Sequence, residues 1–231
     1  MTKRSTTLAG LAVTLLAAVM LAPPVLAGGR YSSRSRLLTG LHDGFVTFWR
    51  TGTPPSGVVD YWFRFHVVKA ALAAILLVVL IGFAVQVGRR WAAVAIAPFA
   101  LFALLAVMAN LQGVVAPFSS LLPMLSDGPD DAALTATLTQ VRLQLAAERR
   151  SPAVDLMSAD FGRYHLAMAV IASAVAAGFV VAGVLLWRRA KRLPALLAAA
   201  PALAAVTIVV ANVGVAENPT PALAAFFNGG W

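Results

Sequence analysis

The sequence predicts an all-α integral membrane protein. The expected architecture is a four-helix bundle from two duplicated helical hairpins, with an N-terminal signal or anchor helix and short amphipathic helices in the outer loops. Three observations predict it. Residues of the AVILMFWYC set make up 60% of the 231 positions and charged residues only 12%, with a mean hydropathy of +0.84. Soluble domains carry about 25% charge, and disordered chains combine low hydrophobicity with high charge. Five apolar stretches have the length of a membrane span. Several short strings recur in the same order about a hundred positions later.

The apolar stretches are Thr7–Ala27, Ala70–Gly88, Trp91–Phe118, His165–Trp187 and Leu193–Val215. Each supplies the ~20 residues, roughly 30 Å of helix, that a hydrocarbon core requires. Pro98 and Pro201 fall inside two of them, where neighbouring helices tolerate a kink. The first stretch has two readings. Lys3 and Arg4 precede an apolar run that ends in Val25-Leu26-Ala27 after two prolines, which is the design of a cleaved signal peptide. A retained signal-anchor helix has the same features. Residues 1–27 form this segment, 28–118 a first repeat and 119–231 a second.

Basic residues orient the set. Two short turns, Arg89-Arg90 and Arg188-Arg189-Ala190-Lys191-Arg192, hold eight cations together with Lys3 and Arg4. All nine acids lie on the other side. The positive-inside rule places the N-terminus and both turns in the cytoplasm and the long loops and C-terminal tail outside. Trp91 and Trp187 flank the basic turns, and Trp49, Trp62 and Tyr164 stand near the outer edge; Trp and Tyr belong at such interfaces. The net charge of +9 is therefore an orientation signal, and no nucleic-acid partner is expected. Arginine outnumbers lysine 15 to 3, a GC-rich bias that predicts a bacterial plasma membrane.

The duplication rests on ordered matches. Arg64-Phe65-His66 returns as Arg163-Tyr164-His165, Ala97-Pro98 as Ala200-Pro201, and Ala109-Asn110 as Ala211-Asn212. Upstream, Leu37–Gly44 matches Leu121–Gly128. The outer segments share a design: Leu37, Leu41, Phe45 and Phe48 fall at helical spacing, as do Leu134, Leu138, Val141 and Leu145. Asp130 or Asp131 is placed to cap the second of these helices, and Pro152 is expected to end it.

Candidate functional residues come in pairs. Arg64, His66, Arg163 and His165 form a polar or ligand-binding set near the outer interface. Two facing imidazoles suit haem or copper, with His42 as a possible third ligand. Asn110 and Asn212 are expected to pair across helices, since a buried amide needs a partner; Gln86 and Gln112 add to that polar content. Ala174, Gly178 and Ala182 make a small-residue stripe that suits close helix packing. Cysteine chemistry is excluded, because there is no cysteine. No P-loop, HExxH, GxSxG or GxGxxG beside a strand is present. No carboxylate lies inside the five stretches, although proton-coupled carriers usually place one there.

The expected function is therefore non-enzymatic: an accessory or scaffold subunit of a membrane complex, needing no cofactor. Its expected partners are the lipid bilayer and a second membrane protein or further copies of itself. Two alternatives stand beside it. One is a small oligomeric transporter or channel. The other is a haem- or copper-binding membrane protein using His66 and His165.

Overall fold

Uncharged runs of Ala, Leu and Val in hydrocarbon must satisfy every backbone N–H and C=O internally, which a helix does within one segment. The structure, a computed structural model, describes residues 3–88, 90–129, 131–147 and 149–229, and the side chains of Arg90 and Trp91 are also outside that description. Arg89, Asp130 and Glu148 of the sequence reading thus lie outside the described residues. Among the described residues there is no strand. In chain order the helices are α1 (Lys3–Leu21), α2 (Pro23–Leu26), α3 (Arg34–Thr51), α4 (Ser56–Val87), α5 (Arg90–Val115), α6 (Pro117–Leu121), α7 (Ala132–Leu145), α8 (Pro152–Arg188), α9 (Arg192–Glu217) and α10 (Pro219–Phe227), with a 3₁₀ stretch at Leu122–Ser126. Five of them, α1, α4, α5, α8 and α9, are long and apolar enough to cross a membrane.

Several boundaries differ from the sequence reading. α4 opens at Ser56 rather than Ala70, and α8 at Pro152 rather than His165. Hydropathy marks the stretch that suits lipid, whereas polar flanks such as Asp60 and Asp160 remain helical beyond it. Pro152 does not end α7. It occupies the first turn of α8, where a missing N–H costs nothing, behind Ser151, whose side chain accepts from the Val154 amide. α7 already stops at Leu145. The third apolar stretch breaks before its predicted end at Phe118, because Pro117 cannot continue α5 and instead begins α6. The C-terminal tail contains α10, whose Leu223 and Phe227 are buried. The stripe of Ala174, Gly178 and Ala182 is exposed, and the small residues that α8 buries include Ala167, Ala169, Ala172 and Ala176.

The chain forms two compact units. The first comprises Met1–Phe45, Pro54–Pro117 and Leu121–Gly128. Its centre is the antiparallel hairpin α4–α5, with α1 packed along α4. Leu37, Leu41 and Phe45 of α3 are buried, as their helical spacing predicts, and so is Leu38. Gly88 closes α4 with φ +64°, a left-handed conformation that glycine adopts without a Cβ penalty.

The second unit comprises Val46–Thr53, Phe118–Ser120 and Pro129–Trp231. Its centre is the hairpin α8–α9. Asp131 caps α7 by accepting from the amides of Ala133 at 2.8 Å and Leu134 at 3.1 Å, and Leu134, Val141 and Leu145 are buried. Arg142 Nε donates to the Phe227 carbonyl at 2.6 Å and ties α7 to the end of α10. Phe48 meets Phe118 edge-on at 5.0 Å, and Trp49 donates to Gln140 at 2.8 Å.

Candidate functional site

One histidine and one asparagine meet within each hairpin. In α4–α5, His66 Nδ1 lies 2.9 Å from Asn110 Oδ1. In α8–α9, His165 Nδ1 lies 2.7 Å from Asn212 Oδ1. Each asparagine sends its amide nitrogen back to its own helix: Asn110 Nδ2 donates to the Ala106 carbonyl at 2.6 Å, and Asn212 Nδ2 to the Ile208 carbonyl at 2.8 Å. The same four-atom arrangement thus occurs in both units.

The geometry fixes the tautomer. A backbone carbonyl only accepts, so the amide group facing it is the NH₂, and the oxygen faces the imidazole. That oxygen also only accepts. Nδ1 therefore carries the proton in both histidines, and Nε2 carries the lone pair when the ring is neutral. We expect ¹⁵N NMR of histidine-labelled protein to report Nδ1 protonated at His66 and His165. Replacing Asn212 by leucine removes that preference at His165 and costs about 1 kcal/mol, the usual scale for an interhelical hydrogen bond in a membrane. An unchanged spectrum would show that the bond does not set the tautomer.

The surroundings of the two rings differ. Trp62 stands edge-on to His66 at 4.9 Å, and Phe161 to His165 at 4.6 Å. At His66 the helix opposite is notched by Gly113, three residues beyond Asn110. A Cβ at that position would stand 2.4 Å from His66 Nε2. The nitrogen that a metal would take from His66 thus faces the α5 backbone, a poor fit to haem or copper ligation there.

The arginines of the two Arg-x-His strings take different partners. Arg64 Nε donates to the Ala27 carbonyl at 3.1 Å. Arg163 Nη2 pairs with Asp160 Oδ1 at 2.7 Å. Asp160 is buried and also accepts from the backbone N–H of Ser119 at 2.9 Å and its hydroxyl at 2.7 Å. The sequence reading counts Asp160 only as one of the nine acids outside the apolar stretches. Its signal was the i, i+3 spacing to Arg163, echoed by Asp60 four residues ahead of Arg64.

His42 belongs to the buried face of α3, and its Nε2 has no hydrogen-bond partner among the described residues. Its ring passes close to Gly128, where an added Cβ would lie 3.6 Å from Cε1. No group of three or more His, Asp or Glu among the described residues is arranged to hold a metal ion.

The sequence reading paired histidine with histidine and asparagine with asparagine. The hydrogen bonds run instead between unlike residues of one hairpin. A usable signal was present. In an antiparallel hairpin, residues equidistant from the turn meet. The midpoint of His66 and Asn110 is Gly88, and the midpoint of His165 and Asn212 falls between Arg188 and Arg189. The first adjoins one basic turn and the second falls within the other. No family model, curated protein or solved structure matches the chain.

Proposed function

We propose that the chain is a non-enzymatic scaffold or accessory subunit of a complex in the bacterial plasma membrane. In this reading it is built from two duplicated hairpins, 28–118 and 119–231. Its N-terminal basic residues and arginine turns are cytoplasmic, and its long loops and tail are outside. The observation that carries the reading is the closure of both polar pairs. His66 and His165 spend their Nδ1 protons on Asn110 and Asn212, and the asparagines spend amide protons on their own helices. Polar groups satisfied in this way fasten helices together. They are not thereby offered to a passing solute, so the arrangement favours a packing role over a transport path. The recurrence of the bond in both hairpins supports the duplication.

The test is affinity purification of the tagged chain from native membranes, with quantitative mass spectrometry and size-exclusion chromatography. The expected result is an integral membrane protein recovered in near-equal amount. A monodisperse monomer without such a partner would overturn the scaffold reading. Solute flux through proteoliposomes of the purified protein, abolished by Asn110→Leu or Asn212→Leu, would favour the transporter.

A further inference from the structure

A cleaved leader and a retained anchor, the two readings of residues 1–27, require different surroundings for Ala27. A leader must offer its small-residue end to a peptidase. On α1 the buried Ala12, Leu15 and Val19 fall three and four residues apart, and they share a core with Ala73, Leu76 and Leu80 of α4. The stripe does not stop with α1. Pro23 of α2 is buried four residues beyond Val19, and Ala27 four beyond that. α2, like α1, packs on α4. The residue that precedes the expected scission is therefore the last member of a buried stripe, only 5% exposed.

The bond itself is tied on both sides. The Ala27 carbonyl accepts from Arg64 Nε at 3.1 Å, and the Gly28 N–H donates to the Val25 carbonyl at 3.1 Å. Ala27 is helical, with φ −65° and ψ −26°, and its own N–H donates to the Pro23 carbonyl at 2.9 Å. The guanidinium also lies along the next residue: a Cβ on Gly29 would stand 3.7 Å from Arg64 Nη2. Proteolysis selects exposed backbone that is free of such bonds. In the second hairpin the matching Arg163 pairs with Asp160 of its own helix. Arg64 instead reaches 37 residues back along the chain.

We infer that residues 3–27 stay attached as a membrane helix of the mature chain, and that Arg64 is the latch that keeps the Ala27–Gly28 bond from a signal peptidase. The stripe on α4 holds the segment in place, and Arg64 occupies the carbonyl that hydrolysis would have to attack. Losing the segment would give up the core that α1 shares with α4.

The first test is the intact mass of the full-length chain, tagged at its C-terminus, expressed in bacteria that carry signal peptidase, and read after denaturation. Hydrolysis would leave a carboxylate on Ala27 facing Arg64, and charge would hold a cut leader in a native sample. The expected chain begins at Met1 or Thr2. A chain that begins at Gly28 overturns the inference. In the second test, purified full-length protein in mixed micelles is incubated with signal peptidase. Cutting then follows the population of the opened form, as long as closing is faster than cutting. Arg64 is an exposed helical residue, so Arg64→Ala leaves α4 folded. It is expected to speed cutting after Ala27 by about tenfold or more, the weight of one hydrogen bond to a charged group. Val19→Ala, which trims a fully buried side chain of the stripe, speeds it too. Val13→Ala trims the same atoms from a position 70% exposed and leaves the rate unchanged. Equal acceleration by Val13→Ala and Val19→Ala would mean that the hydropathy of the segment governs cutting, and overturns the role of packing. An Arg64→Ala rate equal to that of the parent overturns the latch.

Discussion

Replacing Asp160 by alanine is expected to destabilise the second unit by about 3 kcal/mol, the largest single-residue effect anticipated in the chain. The carboxylate is buried and accepts from both the amide and the hydroxyl of Ser119. Hydrogen bonds to a charged group contribute roughly 1.5–3 kcal/mol each, and a buried donor left unmatched adds a desolvation penalty. Arg163 contributes less, because its side chain is 63% exposed and solvent screens it. Ser119→Ala removes one of the two Ser119 bonds and is expected to cost about 1–2 kcal/mol. The double variant should cost less than the sum of the single ones, since both break the same bond. Unfolding in mixed micelles against rising SDS measures all three. A D160A midpoint within about 0.5 kcal/mol of the parent would place Asp160 among ordinary surface residues.

The second large effect belongs to Gly113, and its sign should depend on His66. In the parent chain, Gly113→Ala drives a methyl group into the ring, 2.4 Å from Nε2. The imidazole must leave its place opposite Asn110, and such overpacking costs about 1–3 kcal/mol. The gain in helix propensity, about 1 kcal/mol, does not offset both that and the lost hydrogen bond. In a His66→Ala background the obstacle is gone. There Gly113→Ala is expected to be neutral or slightly stabilising. The reversal is read from the same unfolding curves, together with the ¹⁵N signal of His66 in the single variant. A penalty of equal size in both backgrounds would mean that the notch serves something other than the imidazole.

Much of this architecture was legible in the sequence, for identifiable reasons. Spans announce themselves because hydrocarbon tolerates no unpaired backbone, so long uncharged runs had few alternatives. The stripe of Leu37, Leu41 and Phe45 was legible because helical period and burial coincide there. Helix starts were not, since Asp60, Arg64 and Asp160 continue helices that hydropathy had already ended. Ser119 carries no mark of its partner 41 residues away, and that contact depends on how α6 meets α8. The histidine–asparagine bonds were half legible. The residue types were evident, but the likeness of the two Arg-x-His strings drew attention to like residues. Position relative to the turn identifies the right ones.

The paired bond has a mechanical consequence for life in a bilayer. Sliding one helix of a hairpin by a single residue moves its side chains 1.5 Å along the axis and 100° around it. Asn110 can then no longer meet His66, nor Asn212 meet His165. Each hairpin therefore resists shear between its two helices. When the surrounding lipid thins or thickens, tilting each hairpin as one body keeps this bond, whereas sliding its helices to a new register gives it up. Tilt is thus the response to a change in thickness that leaves the bond of each hairpin whole.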